Sequence, residues 1–187
     1  MIDSLGKHVL LWWRMKTILL AMAALGLTAM SNNAQTATVQ QEAATATVCS
    51  GAVGKAIEKI DFITEHKPNT QAKYYMYLCS AYWCGPCRRE MPNIIAEYEE
   101  MKKDNHVEII LLSCDHHVKG ALQYLDLFAA PFAAVMYESE ARKQLPGAPD
   151  DIRGVPHIYV VDADGNFVHR GHGSTVKSWR EYTKKNK

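Results

Sequence analysis

The chain has 187 residues and a formal charge of +1, with 21 basic and 20 acidic side chains. At roughly 100 to 200 residues per domain, this length fits one domain with appendages or two small domains, and it excludes a long multidomain enzyme. The balanced charge indicates neither a nucleic-acid-binding protein nor an acidic disordered tail. Five cysteines are too few for a disulfide-rich scaffold, and their odd number leaves at least one thiol outside any intrachain bridge.

The N-terminal region has the pattern of a secretory signal. An apolar stretch from Thr17 to Met30 follows Arg14 and Lys16, and it is shorter than the roughly 20 apolar residues of a membrane-spanning helix. We therefore predict a signal peptide over residues 1–34, with Met15 as an alternative start, that directs the chain to the periplasm or out of the cell. An uncleaved anchor or a buried helix is the other interpretation. Removal of this segment leaves 18 basic and 19 acidic residues, a nearly neutral protein.

The remaining chain is predicted to be a tether followed by one domain of alternating strands and helices. Residues 35–48 are rich in Ala, Thr and Gln without an apolar period, which predicts a flexible tether before a domain at 49–187. The apolar patterns predict these elements in chain order: a short helix from Val53 towards Ile63, a strand Lys73–Ser80, a helix Cys84–Lys103, a strand Val107–Ser113, a helix Val118–Phe128, loops around a short helix near Glu138–Lys143, strands His157–Val161 and Phe167–Arg170, and a helix Thr175–Lys184. This order predicts an α/β fold with a mixed sheet covered by helices.

Two cysteines lie where the first long strand is predicted to run into the long helix, in the sequence Trp83-Cys84-Gly85-Pro86-Cys87. Unpaired amides at a helix N-terminus stabilise an anion, so the Cys84 thiolate should form below the ordinary thiol pKa of about 8.5. Cys87 lies one helical turn further on, within reach of a mixed disulfide between Cys84 and a client. We therefore predict Cys84 as the nucleophile and Cys87 as the resolving thiol. A zinc site is disfavoured, because no second cysteine pair lies at ligand spacing.

The segment from Trp83 to Cys87 is similar to the active-site sequence of the thioredoxin superfamily. Pro92 stands where that family has a proline inside its helix, and Gly154-Val155-Pro156 resembles its cis-proline loop. The resemblance covers residues 73–187, and it is strongest to the exported TlpA/ResA group and to the tryparedoxin and nucleoredoxin group. It implies a thioredoxin fold, catalytic roles for Cys84 and Cys87, and a substrate-binding surface made by Trp83, Gly85, Pro86, Val155 and Pro156.

The resemblance implies an exported thiol-disulfide oxidoreductase that reduces or isomerises disulfides of protein clients. Its partners would be disulfide-containing clients and a membrane or periplasmic thiol that donates electrons, with no nucleic acid, no organic cofactor and no metal. The Gly-Pro dipeptide between the cysteines resembles reducing thioredoxin, at about −270 mV, more than the oxidant DsbA, at about −120 mV. The alternatives are a thiol peroxidase and a copper-binding or protein-interaction module that uses the dithiol with His116 and His117.

Several residues around this motif keep more than one interpretation. Leu78 occupies the position of a buried carboxylate that moves a proton in thioredoxin, so either Glu90, Asp115 or a water serves instead, or the resolving step is slower. His157 could favour the thiolate electrostatically or have a structural role. Of the other cysteines, Cys79 fits a buried apolar position, Cys114 could act with the neighbouring histidines, and Cys49 could be a free thiol or an intermolecular bridge.

Overall fold

The computed structural model describes residues 50–104 and 106–184. The predicted signal peptide and tether, together with Cys49, lie outside these residues and stay predictions. Among the described residues, no helix combines the length and the apolar character that are needed to cross a membrane.

Strands and helices alternate along the described part of the chain. The strands are β1 (Tyr74–Ser80), β2 (Val107–Ser113), β3 (Ala133–Met136), β4 (His157–Asp162) and β5 (Phe167–Gly171). The helices are α1 (Ala52–Ile57), α2 (Gly85–Asp104), α3 (Val118–Phe128), α4 (Glu140–Lys143) and α5 (Trp179–Lys184), with a 3-10 helix at Gly173–Ser178 directly before α5.

The strands form one mixed sheet in the order β3-β2-β1-β4-β5. β1 runs parallel to β2, and β2 runs parallel to β3, whereas β4 is antiparallel to both β1 and β5. β1 is therefore the central strand, and all seven of its residues are buried. This arrangement confirms the predicted mixed sheet with flanking helices.

The central strands β1 and β2 are buried along their whole length, whereas most of β5 is exposed. Because successive side chains of a strand point in opposite directions, β1 and β2 pack against apolar residues on both faces of the sheet. On one face, Leu78 of β1 belongs to an apolar cluster that includes much of α2 and the buried Trp179. On the other face, Cys79 belongs to a second cluster with Ile57 of α1 and with Leu145. Two packed faces hold β1 in place, and the chain leaves its C-terminal end towards the cysteine motif.

The structure differs from the predicted elements in three places. The first helix ends at Ile57, so Ile60 reaches the core from the segment that follows the helix. The closing helix is divided into the 3-10 helix and α5. β3 was not predicted, because Pro131 and the small residues of AAVM give no clear strand pattern, and it pairs with β2 from Ala133 to Met136.

The region between β3 and β4 is held together by the buried guanidinium group of Arg142. The side chain of Arg142 in α4 donates hydrogen bonds to the carbonyl oxygens of Tyr137 (3.0 Å) and Pro149 (3.0 Å) and to the carboxylate of Asp150 (2.8 Å). A buried charge is tolerated when it is paired and hydrogen-bonded in this way. The guanidinium group therefore holds both ends of this segment together.

Glu108 is a buried carboxylate near the start of β2, at the end of the sheet that is remote from the cysteine motif. Its side chain accepts hydrogen bonds from the Tyr98 hydroxyl, from the Asn69 amide at 2.9 Å and from the Ile109 amide at 3.2 Å. Burial raises the pKa of this carboxyl group, and the hydrogen bonds oppose that rise only in part. The folded state consequently binds the proton of Glu108 more tightly than the unfolded chain does.

We expect Glu108 to make stability depend on pH. Because its pKa is raised above the ordinary value of 4.5, its stabilising contribution is complete below that pH and is lost as the pH rises through the higher pKa of the folded state. The free energy of unfolding of the native protein, relative to that of Glu108→Gln, should therefore fall from pH 4.5 towards neutral pH. Urea unfolding at a series of pH values measures this difference.

The matched control is Glu140→Gln, since Glu140 is an exposed carboxylate in α4 that pairs with Lys143. The difference between this control and the native protein should change little over the same pH range. A difference curve for Glu108→Gln that is flat, or that rises with pH, would contradict the raised pKa.

Candidate active site

The cysteine motif lies at the junction between the central strand and the long helix. β1 ends at Ser80, and α2 begins at Gly85, which leaves Cys84 as the residue directly before the helix. The Arg88 amide donates to the Cys84 carbonyl oxygen at 3.1 Å, and this is the first backbone bond of α2. Cys84 therefore occupies the N-cap position, where a side-chain acceptor can satisfy a free amide of the first turn.

Cys84 and Cys87 form a disulfide, with their Cα atoms 5.2 Å apart. The Cys87 amide donates a hydrogen bond to the Cys84 sulfur at 3.2 Å, as an N-cap side chain would receive it. Cys84 keeps 5% of its surface exposed, whereas Cys87 has 0%. A partner in solution can therefore approach Cys84 first, and the amide contact is suited to stabilising a thiolate at this sulfur when the disulfide is reduced.

The loop before β4 lies against this disulfide. The peptide bond between Val155 and Pro156 is cis, as the resemblance implied. The carbonyl oxygen of Val155 lies 3.6 Å from the Cys84 sulfur. Together with Gly85 and Pro86, this loop brings the predicted substrate-binding residues to one end of the sheet.

Trp83 presents its side chain to solvent beside the nucleophile position. It is 57% exposed, and its indole Nε1 donates to the carbonyl oxygen of Cys114 at 3.3 Å. The neighbouring Tyr82 amide contacts both carboxylate oxygens of Asp115, at 3.0 and 3.1 Å. The segment after β2 thus fixes the active-site loop, a role of Asp115 that the sequence analysis missed because the two segments are distant along the chain.

Two clefts lie near the segments that surround the cysteine motif. One cleft of about 460 Å³ lies on the Trp83 side and is lined by residues that follow β2 and β3, including Cys114, Asp115, His116, Tyr137 and Glu138. The other cleft, of about 390 Å³, lies on the Pro156 side and is lined by Pro86, Glu90, Pro156, His172 and Lys177 among others. The second cleft therefore offers concave surface beside the cis-proline loop.

The free cysteines of the described chain are Cys79 and Cys114. Burial raises the pKa of both thiols, that of Cys114 to about 11, and the charges of Asp115 and Glu138 add to the rise at Cys114. Both groups therefore stay protonated near neutral pH, a form that is a poor nucleophile. Across residues 50–104 and 106–184, no cluster of three or more His, Cys, Asp or Glu side chains is arranged to hold a metal ion.

Glu90 and Asp115, the proposed substitutes for the missing buried carboxylate, lie on different elements: Glu90 in α2 and Asp115 in the segment after β2. Leu78 is buried and lies opposite Ile158 on the neighbouring strand β4, so no carboxylate occupies this position. The carboxylate of Asp115 already accepts hydrogen bonds from the Tyr82 amide and the Ser113 hydroxyl. Glu90 lines the cleft beside Pro86.

His157 does not face the cysteine pair. It lies opposite Cys79 in the pairing of β4 with β1, and directly opposed residues share a face of the sheet. Its ring contacts those of Tyr159, at a centroid distance of 4.9 Å, and His172, at 5.3 Å. Burial, followed by the charges of His172 and Arg170, lowers its pKa. The structural interpretation is therefore supported, and the electrostatic role at the thiolate is not.

Comparisons with known proteins place this geometry in a family. A family model described as thioredoxin-like matches residues 71–167, more than half of the chain. Nucleoredoxin of Xenopus laevis is 29% identical over 108 residues, which cover 57% of this chain but 26% of that protein. The thiol:disulfide interchange protein CycY of Rhizobium leguminosarum bv. viciae is 26% identical over 96 residues, covering 51% of this chain and 48% of CycY. The chain thus matches less than half the length of either relative.

Among solved structures, a thiol:disulfide interchange protein from Bacteroides sp. superimposes with a TM-score of 0.50 at 21% identity. The superposition covers 62% of this chain and 76% of the other, and at this identity it speaks for the fold alone. The fold and the extent of the family match lead to one conclusion: this chain belongs to the thioredoxin-like family.

Proposed function

We propose that this protein is a thiol-disulfide oxidoreductase that reduces or isomerises disulfides in protein clients through Cys84 and Cys87. The observation that carries the proposal is the asymmetry of the cysteine pair. The sulfur of Cys84, the more accessible residue, accepts a hydrogen bond from an amide of the first helical turn, whereas Cys87 is fully buried. A pair that only stabilised the fold would not need one cysteine to be the more accessible of the two and to lie beside an exposed tryptophan. The family membership and the names of the relatives support the same chemistry.

The reaction transfers two electrons from the reduced cysteine pair to the client. The Cys84 thiolate attacks one sulfur of a client disulfide, which forms a mixed disulfide and releases the other client sulfur as a thiolate that takes up a proton. Cys87 then loses its proton and attacks the Cys84 sulfur. This step releases the second client thiol and leaves the Cys84–Cys87 disulfide, the form that the structure contains. A thiol donor returns the pair to the reduced state.

The proton of Cys87 needs an acceptor during the second attack. Leu78 provides no such group, and Asp115 is engaged by the Tyr82 amide and the Ser113 hydroxyl. We therefore favour Glu90, or a water in the cleft that Glu90 shares with Pro86, as the route by which this proton leaves. Of the three proton acceptors that the sequence analysis left open, this proposal sets Asp115 aside and keeps Glu90 and a water.

Clients would bind along the surface that surrounds the disulfide. The exposed Trp83 offers an apolar contact on one side, and the backbone of Val155 offers a carbonyl group on the other. Gly85 and Pro86 lie between them, and Pro156 follows Val155 in the facing loop. The electrons reside in the two sulfurs, so the proposal needs no organic cofactor.

The proposed location is an oxidising compartment, with the periplasm first and secretion as the alternative. The support is the N-terminal pattern of a basic segment followed by an apolar stretch. A disulfide reductase in such a compartment must receive electrons from a dedicated thiol donor, because the surroundings favour oxidation. A membrane or periplasmic thiol protein would fill this role.

Substitution of the two cysteines should separate their roles. Cys87→Ser should accumulate mixed disulfides with clients, because Cys84 can attack but nothing releases the product. Cys84→Ser should trap no client and should lose reductase activity. Both results are measured by non-reducing electrophoresis after expression of each variant in the exporting cell, followed by identification of the bound proteins.

Cys114→Ser is the matched control, because that thiol lies near the site but stays protonated. It should retain most of the reduction of insulin disulfides. Peroxide consumption by Cys87→Ser, combined with no insulin reduction by the native protein, would point to a thiol peroxidase instead.

The reduction potential should lie near that of thioredoxin, at about −270 mV, because Gly-Pro separates the two cysteines. Equilibration of the pair with glutathione buffers of known potential measures it. A value above about −180 mV would indicate an oxidant and would contradict a reducing role.

The reduced Cys84 should ionise below the ordinary thiol pKa of about 8.5, because the Cys87 amide and the start of α2 stabilise its thiolate. The pH dependence of the rate of iodoacetamide alkylation gives this pKa directly. The measurement uses Cys87→Ser, so that alkylation of Cys87 does not contribute to the rate. A Cys84 pKa at or above that of free cysteine would disprove the proposed stabilisation of its thiolate.

A further inference from the structure

We propose that His172 is a positioning residue for client binding, which acts by holding the carbonyl group of Pro156 and thereby the loop that faces Cys84. The inference rests on the proposed function, because it assigns a role in the binding of disulfide-containing clients. His172 follows β5, and its Nδ1 lies 3.2 Å from the Pro156 carbonyl oxygen. A carbonyl oxygen can only accept, so Nδ1 carries the proton and donates this hydrogen bond.

The loop that His172 holds is open to solvent at Gly154, whereas Val155 packs against both apolar clusters. A Cβ atom added to Gly154 would meet no atom within 4 Å, so the residue before Val155 lies in open space. Val155 and Pro156 are half-buried, and the carbonyl oxygen of Val155 lies 3.6 Å from the Cys84 sulfur. A shift of the Pro156 carbonyl would therefore move the backbone group that a client strand meets beside the nucleophile.

His157 supports the ring of His172 from behind. The two rings meet edge to face at a centroid distance of 5.3 Å. The Nε2 atom of His157 is buried and has no hydrogen-bond partner among the described residues, and burial lowers the pKa of this ring. The ring of His172 is therefore held by this ring contact and by the hydrogen bond to the Pro156 carbonyl group.

His172 stands at the client side of the site without touching either sulfur in the contacts described. It lines the cleft of about 390 Å³ that also contains Pro86 and Pro156. The charged side chains of this cleft are Glu90 from α2 and Lys177 from the 3-10 helix. The position predicts an effect on the binding of an extended client and not on the chemistry of the cysteine pair.

The test compares His172→Ala with His172→Asn. The alanine variant should raise KM for insulin reduction by about three- to tenfold, the range expected for the net loss of one hydrogen bond, with kcat unchanged. Reduction of a small aromatic disulfide, which does not extend along the loop, should keep its native rate. The asparagine variant should restore KM, because its amide nitrogen can donate from the position that Nδ1 occupies.

His169→Ala is the matched control, since His169 is another exposed histidine, lies on β5 and stacks on Tyr182 at a centroid distance of 5.2 Å. It should leave KM unchanged. If the native protein reduces neither insulin nor the small disulfide, the proposed function itself fails. If the native protein is active, the positioning role is overturned by an unchanged KM in His172→Ala, by no rescue in His172→Asn, or by an equal loss with the small disulfide.

Discussion

The contact between the Cys87 amide and the Cys84 sulfur, at 3.2 Å, depends on where α2 begins. Cys84 can accept that hydrogen bond because it directly precedes the helix and its carbonyl receives the first helical bond, from Arg88. Its place is in turn set by β1, which is buried along its whole length and packed on both faces. Close-packed interiors transmit displacement, so the core of the domain determines the geometry of one sulfur.

The same core separates this sulfur from the other thiols. Cys79 and Cys114 lie near the C-terminal ends of β1 and β2, close to the active-site loop, yet burial holds each of them in the protonated form. Cys84 differs from both in its position at the helix start, where its sulfur accepts the hydrogen bond of the Cys87 amide. In the proposed function, access to a free amide at the helix start distinguishes the reacting sulfur from the other thiols.

The surroundings of the disulfide come from segments that are distant along the chain. The segment after β2 supplies Asp115, which fixes the Tyr82 amide, while the loop before β4 supplies the carbonyl group of Val155. These segments meet because the parallel strands β1 and β2 end at the same edge of the sheet, and the antiparallel β4 begins there. His172, which follows β5, extends this assembly to the outer side of the cis-proline loop. One cleft near the site is lined by residues that follow β2 and β3, and another is lined by Pro86, Pro156 and His172 among others.

Local sequence patterns predict the elements that have a strong apolar period, and they also predict the chemistry of the cysteine motif. The strand Val107–Ser113 and the helix Val118–Phe128 have the predicted bounds, because their patterns depend on neighbours along the chain. The position of the cysteine pair between a strand and a helix is likewise a local property. Features that depend on strand pairing become visible only in the folded chain. β3, for example, is a strand because it forms hydrogen bonds to β2. The strand register places His157 opposite Cys79, and the folded chain places His172 beside Pro156. The sequence does not predict these contacts, because they join residues that are distant along the chain.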